Sequence, residues 1–175
     1  TVSLTVSDGV SNSSVDKEDY ILVNPSNSIS GTMMENYHFY PNENGEPYYV
    51  TGNVTIPEGF EMHFHNGVTV KFGSNVNLSV YGNLEATGTI FTSSQDNPTA
   101  GYWDYIQIGN STYEGSAEFT NCEINYAESG IYVYNGTATI NNSEITEFYY
   151  RGVWVNSDGL VNLSNTNIYS GSYHS

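Results

Sequence analysis

Basic residues are scarce in this sequence of 175 residues, in which 3 Lys and Arg stand against 19 Asp and Glu, for a formal net charge of −16. Nucleic acids and anionic membranes are bound through clustered Lys and Arg, so both are excluded as partners. The single cysteine, Cys122, rules out an internal disulfide framework. No apolar run approaches the ~18 residues that cross a bilayer, so we expect no membrane insertion.

Aromatic residues are abundant instead, at 14% of the chain with 16 Tyr, and polarity comes mainly from Asn, Ser, Thr and Gly. Tyr and Thr fit a pleated, half-buried surface, while Asn and Gly tolerate left-handed backbone positions. This composition predicts an all-β chain. Seven N-x-[ST] sequons, which are glycan acceptors in a secreted protein, also arise readily by chance in such a sequence. They lie at Asn12, Asn53, Asn77, Asn110, Asn135, Asn141 and Asn162.

Three segments repeat one pattern, an apolar residue, then Asn two places on, then Ile three places after that, at spacings of 21 and 23 residues. They are Phe119-Thr-Asn121-Cys-Glu-Ile124, Ile140-Asn-Asn142-Ser-Glu-Ile145 and Leu163-Ser-Asn165-Thr-Asn-Ile168. A second series runs in step, because Ser129-Gly130-Ile131-Tyr-Val133 recurs as Arg151-Gly152-Val153-Trp-Val155. A fixed period of ~22 residues predicts a solenoid, in which each repeat buries its apolar face against its neighbours.

Coils that rise by one strand spacing, ~4.8 Å, stack equivalent residues above one another. The period therefore predicts a ladder of amides at one turn, formed by Asn121, Asn142 and Asn165. Cys122 falls at the next position, which Ser143 and Thr166 occupy in the following coils. We interpret Cys122 as a small turn residue and not as a catalytic thiol.

Two groups of side chains are candidate metal ligands. Glu123 and Glu144 fall at equivalent positions of adjacent coils, where a pair of carboxylates either holds Ca²⁺, shares a proton or is simply solvated; Asn167 breaks the series. His63 and His65 lie on one strand face with Glu61, a spacing that suits Zn²⁺ or Cu²⁺. The alternative for the histidines is a strand that alternates polar and apolar residues. We expect no cofactor beyond these candidate ions.

A column of outward-facing residues is the candidate binding surface. The flanking apolar pairs align Gln107, Tyr132 and Trp154, and Tyr134 lies beside them. Exposed Tyr and Trp on a flat sheet offer large amphipathic faces to sugar rings or to another protein chain. The same column is equally well explained as a cross-strand ladder that stabilises the sheet.

The first 23 residues predict a β-hairpin, with strands Val2-Ser-Leu-Thr-Val6 and Tyr20-Ile-Leu-Val23 around the turn Ser7-Asp8-Gly9. Together with Lys17-Glu-Asp, this order resembles the last two strands of a polycystic-kidney-disease (PKD) domain, an immunoglobulin-like module common in extracellular proteins. An isolated hairpin is marginal in water, so we expect other strands to complete it. Residues 24–33 read as a linker, 34–48 as a cap or irregular segment, and 49–175 as the solenoid.

The solenoid segment carries a second resemblance. Four motifs follow one another in it, namely Tyr49-Val-Thr-Gly-Asn-Val-Thr-Ile-Pro-Glu-Gly59, His65-Asn-Gly-Val-Thr-Val-Lys-Phe72, Val80-Tyr-Gly-Asn-Leu-Glu-Ala-Thr-Gly88 and Gly101-Tyr-Trp-Asp-Tyr-Ile-Gln-Ile108. Their order is similar to the opening coils of secreted right-handed parallel β-helix proteins of microbial cell surfaces. The resemblance implies an adhesive or surface protein, or else a polysaccharide lyase, hydrolase or epimerase, so the fold alone does not choose a function.

The sequence therefore predicts a non-catalytic, extracellular structural or adhesive protein of a cell surface, surface layer, sheath or filament. We expect self-assembly or other surface proteins as partners, with the hairpin adding a strand to a neighbouring subunit. The alternative is a carbohydrate-binding or polysaccharide-active segment of a larger secreted enzyme. Because the repeat still runs where the sequence stops, without an evident polar cap, we also expect further coils or a capping subunit.

Overall fold

The computed structural model describes residues 2–7, 12–17 and 27–170, the first two of these as backbone strands. These residues form nineteen strands. The first ten are β1 (Val2–Ser7), β2 (Asn12–Lys17), β3 (Ser28–Thr32), β4 (Tyr37–Phe39), β5 (Tyr48–Ile56), β6 (Glu61–Phe64), β7 (Thr69–Phe72), β8 (Leu78–Val80), β9 (Asn83–Thr87) and β10 (Ile90–Ser93). The other nine are β11 (Ile106–Ile108), β12 (Gly115–Thr120), β13 (Glu123–Asn125), β14 (Ser129–Tyr134), β15 (Gly136–Asn141), β16 (Glu144–Thr146), β17 (Arg151–Asn156), β18 (Leu160–Ser164) and β19 (Asn167–Tyr169). None of the described residues forms a helix long and apolar enough to cross a membrane.

From β3 onward the strands stack in parallel on three faces of a solenoid of about six turns, with coils of about 23 residues. The first face stacks β8, β11, β14 and β17, the second stacks β7, β10, β13, β16 and β19, and the third stacks β4, β6, β9, β12, β15 and β18. Strand β5 joins the first two faces, because Tyr48–Val50 pairs with β7 and Val54–Ile56 pairs with β8. The predicted all-β solenoid is confirmed.

The core lies inside the three faces and consists of the alternate, inward-pointing residues of each strand. Phe64, Phe91 and Phe119 form a column of rings through successive coils, with centroid separations of 5.5 and 6.1 Å. The Trp103 ring stacks on Phe72 at 4.2 Å, and its Nε1 donates a hydrogen bond to the backbone oxygen of Asn125 at 2.9 Å. All five rings are buried.

The predicted register of the last coils is confirmed. Ile124 pairs with Ile145 and Ile145 pairs with Ile168, which are the positions that the repeat marks. The first two are fully buried, while Ile168 in the last described coil is 38% exposed. This difference follows from stacking, since each coil buries its inward residues against the next.

One coil is longer than the others. Leu84 pairs with Ala117, 33 positions on, whereas Ala117 pairs with Ala138, 21 positions on. The extra residues lie mainly in the loop 94–105, between β10 and β11. The loop 109–114, between β11 and β12, holds most of the rest, and the strands on either side of both loops keep their parallel stacking.

The solenoid also begins earlier than the sequence predicts. Strand β3 pairs with β5 and β4 pairs with β6, although the segments 24–33 and 34–48 read as linker and cap. Each strand is short and buries one apolar side chain within the strand, Ile29 in β3 and Phe39 in β4, which is too little for a period-2 pattern.

The N-terminal hairpin differs from its predicted boundaries. Strand β1 coincides with the first predicted strand, and it pairs antiparallel with β2, in a segment that the sequence assigns to the turn. The second predicted strand, Tyr20–Val23, lies outside the described residues. Alternation of apolar residues is weak in β2, which is why the pattern did not indicate it.

Candidate functional site

The aromatic column on the first face has the predicted register, since Gln107 pairs with Tyr132 and Tyr132 with Trp154. The rings of Tyr132 and Trp154 stack on each other, with centroids 4.4 Å apart and planes 25° apart. Arg151 places its guanidinium carbon 4.4 Å from the centre of the Trp154 ring. Tyr132 and Arg151 thus both cover the Trp154 ring, as expected for a cross-strand ladder.

The polar members of this column are also engaged. Asn156 Nδ2 donates a hydrogen bond to the Tyr132 hydroxyl at 3.3 Å, and Gln107 Nε2 donates to the backbone oxygen of Gly109 at 2.9 Å. Tyr134 contacts Tyr132 edge to face, with ring centroids 6.2 Å apart. The column stabilises the sheet through these contacts, and its use as a binding surface stays a prediction.

The predicted amide ladder lies at a corner where the backbone is left-handed in five successive coils. The five residues are Gly67, Gly88, Asn121, Asn142 and Asn165, with φ between +49° and +88°. Glycine and asparagine are the residues that adopt this conformation at least cost. Asn165 Nδ2 donates a hydrogen bond to Asn142 Oδ1 at 3.2 Å, so the predicted amide contact is confirmed for this pair.

Cys122 has the structural position that its equivalence to Ser143 and Thr166 predicts. Its backbone N–H donates to Ser143 Oγ at 3.0 Å, and its thiol lies 3.3 Å from the backbone oxygen of Ala86. The Ser143 hydroxyl makes the same kind of bond, to the backbone oxygen of Asn141 at 2.8 Å. Burial raises the pKa of the Cys122 thiol, which disfavours the thiolate that nucleophilic chemistry needs.

Glu123 and Glu144 pair in register, as predicted, and Asn167 follows in the next coil. Glu144 has another partner, because the Tyr169 hydroxyl donates to its Oε1 at 2.6 Å. That hydrogen bond raises the pKa of Tyr169. Binding of Ca²⁺ by Glu123 and Glu144 stays a prediction.

The two predicted histidines lie together on the third face, but their third neighbour is not Glu61. The rings of His63 and His65 stack at 3.9 Å, and His38 of β4 pairs in register with His63. His38, His63 and His65 are the one group of at least three metal-ligating side chains that converges within the described residues. Desolvation, followed by repulsion from His63 and His38, lowers the pKa of His65. The sequence missed His38 because β4 read as irregular.

A groove that the sequence did not indicate runs along the corner before the third face and has a volume of about 480 Å³. It is lined by Gly59, Gly82, Gly115 and Gly136, which come from successive coils. Aromatic, acidic and amide residues also line it, among them Tyr81, Glu58, Glu61, Glu114, Asn36 and Asn83. The groove crosses several coils, so it suits an extended ligand lying along the solenoid axis.

The predicted sequons differ in exposure. Asn53 and Asn162 are exposed, whereas Asn77, Asn110, Asn135 and Asn141 are half-buried. Asn12 belongs to β2, of which only the backbone is described. Asn135 is further engaged, since its Nδ2 donates to the backbone oxygen of Asn110 at 3.2 Å. Exposure therefore favours Asn53 and Asn162 as glycan acceptors.

Comparison with known proteins agrees with the fold. A family model described as "Right handed beta helix region" matches residues 104–174, the segment that begins just before β11. The comparison with curated proteins found no match, and the comparison with solved structures found none. Together with the parallel three-faced stack, the match shows a right-handed parallel β-helix.

Proposed function

We propose that this chain is a non-catalytic structural or adhesive component of a cell surface, such as a surface layer, sheath or filament. The observation that carries the proposal is the column of five left-handed corners, which gives successive coils the same backbone geometry and the same neighbour contacts. Repeated contacts of this kind make a stiff, durable rod. The exposed sequons Asn53 and Asn162, and the resemblance of residues 1–23 to a PKD module, support an extracellular location.

Assembly would use the N-terminal hairpin. Within the described residues β1 and β2 pair only with each other, so the hairpin presents backbone N–H and C=O groups at its edges. A two-stranded hairpin is marginally stable in water, and strand addition by a neighbouring subunit would complete its sheet. This supports a filament or layer of like chains.

Sedimentation velocity of the full chain and of a variant lacking residues 1–23 tests the assembly. We expect the full chain to form concentration-dependent oligomers and the shortened chain to be monomeric, because removal of the hairpin removes the edges that pair. The thermal midpoint of the shortened chain serves as the control for folding of the solenoid. A monomeric full chain whose behaviour does not change on shortening would contradict the proposal.

A second function, carbohydrate binding, is favoured by the groove lined by glycines of successive coils. Tyr81 offers a ring at its wall, and its centroid lies 5.6 Å from that of Tyr113. Ser116 Oγ donates to Asn83 Oδ1 at 2.7 Å, which fixes two polar groups beside the floor. Aromatic faces with convergent polar groups suit sugar rings. The acidic walls favour an uncharged or amino-sugar polysaccharide over a polyuronate.

Binding of the native chain and of two variants to a glycan array distinguishes the groove from the aromatic column as the carbohydrate-binding site. We expect Tyr81→Ala to lower the affinity for an uncharged or amino-sugar oligosaccharide by about tenfold, as for the loss of an aromatic contact worth ~1.4 kcal/mol. Trp154→Ala, on the first face, should leave this affinity unchanged. Loss of binding in Trp154→Ala with retention in Tyr81→Ala would move the site to the aromatic column and contradict the groove.

A further inference from the structure

Three histidines meet where the first coils of the solenoid stack. His38 in β4 and His63 in β6 are paired neighbours on adjacent strands, and His65 lies two residues after His63. Residues two apart on a strand point to the same side of the sheet. Stacking of β4 on β6, together with the alternation of side chains along each strand, therefore places three imidazoles on one patch of the third face.

The distances within this patch suit a metal ion. His38 Nδ1 and His65 Nε2 are 3.3 Å apart, and one nitrogen from each of the three rings lies within 4.8 Å of the others. Two nitrogens bound to a tetrahedral Zn²⁺ at about 2.0–2.1 Å are themselves about 3.3–3.4 Å apart. One pair already has this separation, and a nitrogen of His63 lies within 4.8 Å of both.

The surroundings hold two of the rings in place. Glu85, which follows His63 in the same column, has its Oε2 3.7 Å from His63 Nδ1. Histidines that bind metals commonly donate a hydrogen bond to a carboxylate, and the Glu85 carboxylate lies just beyond hydrogen-bond distance of His63. The Tyr40 ring stacks on His65 with centroids 4.0 Å apart and planes 8° apart. His63 and His65 are half-buried and His38 is exposed, so the patch is open to ions from solution.

We propose that His38, His63 and His65 form a zinc site in which water completes a tetrahedral coordination. Three imidazoles are a donor set that Zn²⁺ accepts, and an open fourth position is usual when the protein supplies three ligands. The ligands come from β4, from β6 and from the residue that follows β6, so the ion would clamp one coil to the next at this end of the β-helix. The site is separate from the groove and from the aromatic column.

A hydrogen bond between two neutral imidazoles would also explain the short contact between His38 and His65, and zinc titration decides between the two. We expect the full chain, freed of metal with a chelator, to bind one Zn²⁺ in isothermal titration calorimetry. His38→Ala, His63→Ala and His65→Ala should each weaken binding by at least about tenfold, and Glu85→Gln by about tenfold. Zinc should raise the thermal midpoint of the native chain and not that of His38→Ala.

Glu61→Gln is the matched control, because Glu61 lies on the same strand yet outside the histidine cluster, and it should bind zinc as the native chain does. Co²⁺ supplies a second readout, as a visible absorption band in the native chain that is absent in His38→Ala. Circular dichroism of each variant checks that the solenoid has folded. Zinc affinity in His38→Ala equal to that of the native chain, or the absence of a one-to-one complex, would overturn the site.

Discussion

Replacing Gly115 with alanine is expected to lower the free energy of unfolding by about 3 kcal/mol or more. A Cβ atom on Gly115 would lie 2.1 Å from the backbone oxygen of Val80 and 2.7 Å from the backbone nitrogen of Gly109. These two atoms are partners in one hydrogen bond, in which Gly109 N–H donates to Val80 O at 2.8 Å. A methyl group would therefore force apart a contact between two backbone segments, and backbone atoms held in a sheet cannot rotate away as a side chain does.

Gly52→Ala is the matched control, because Gly52 also lies in a strand and the nearest atom to its Cβ position is the Ser30 Cβ at 3.4 Å. That is an ordinary contact, so the variant should differ from the native chain by less than about 1 kcal/mol. Urea unfolding followed by circular dichroism measures both variants. If Gly115→Ala and Gly52→Ala unfold at the same urea concentration, the claim that backbone atoms leave no room for a Cβ atom at residue 115 is wrong.

Phe91→Ala is expected to cost about 3–5 kcal/mol. The Phe91 ring is fully buried and lies between Phe64 and Phe119 in the core column, with Phe72 at its side. Its removal leaves a cavity that borders three coils, and the stacked strands around it cannot collapse without losing register. The same urea unfolding measurement gives the size of the loss.

Two further variants make this result specific to core packing. Phe91→Leu keeps most of the apolar volume and should cost less than about 2 kcal/mol. Tyr150→Ala removes an aromatic ring that is 59% exposed, and it should change stability by less than about 0.5 kcal/mol. Equal losses in Phe91→Ala and Tyr150→Ala would show that the ring column does not stabilise the fold.

The later coils could be predicted from the sequence because their repeat is uninterrupted. Asn121, Asn142 and Asn165 mark a corner that needs a left-handed backbone, and Ile follows each at a fixed inward position. The residue types of the repeat and the backbone conformation that they favour therefore predict the same register. The stacking of Cys122 on Ser143 followed directly from it.

The earlier coils could not be predicted as well, for two physical reasons. In these coils Gly67 and Gly88 occupy the left-handed corner, so the repeated asparagine is missing. The coil of 33 residues also interrupts the regular spacing of the repeat. Without a register, no sequence pattern places His38 beside His63. The hypothesis of a metal site placed Glu61 beside His63 and His65, whereas in the structure the third side chain of the cluster is His38, which comes from the neighbouring strand.

Side-chain orientation was the other limit. The repeat predicts that Tyr132 and Trp154 are paired neighbours. It does not predict that their rings stack on each other, because stacking depends on side-chain rotamers that sequence spacing does not specify. The groove could have been recognised from the sequence, since Gly82, Gly115 and Gly136 recur at the start of strands of the third face or directly before them. Glycines are frequent enough elsewhere in the chain to hide that series.

The loop 94–105 shows how freely this architecture accommodates extra residues. Loop-closure entropy grows only with the logarithm of length, so closing a coil of 33 residues instead of 21 costs about 0.4 kcal/mol. Because each coil contacts only its neighbours, that small penalty stays local and does not accumulate along the rod. A corner of the solenoid can therefore exchange one surface loop for another, of different size and chemistry, while the strands above and below keep their alignment.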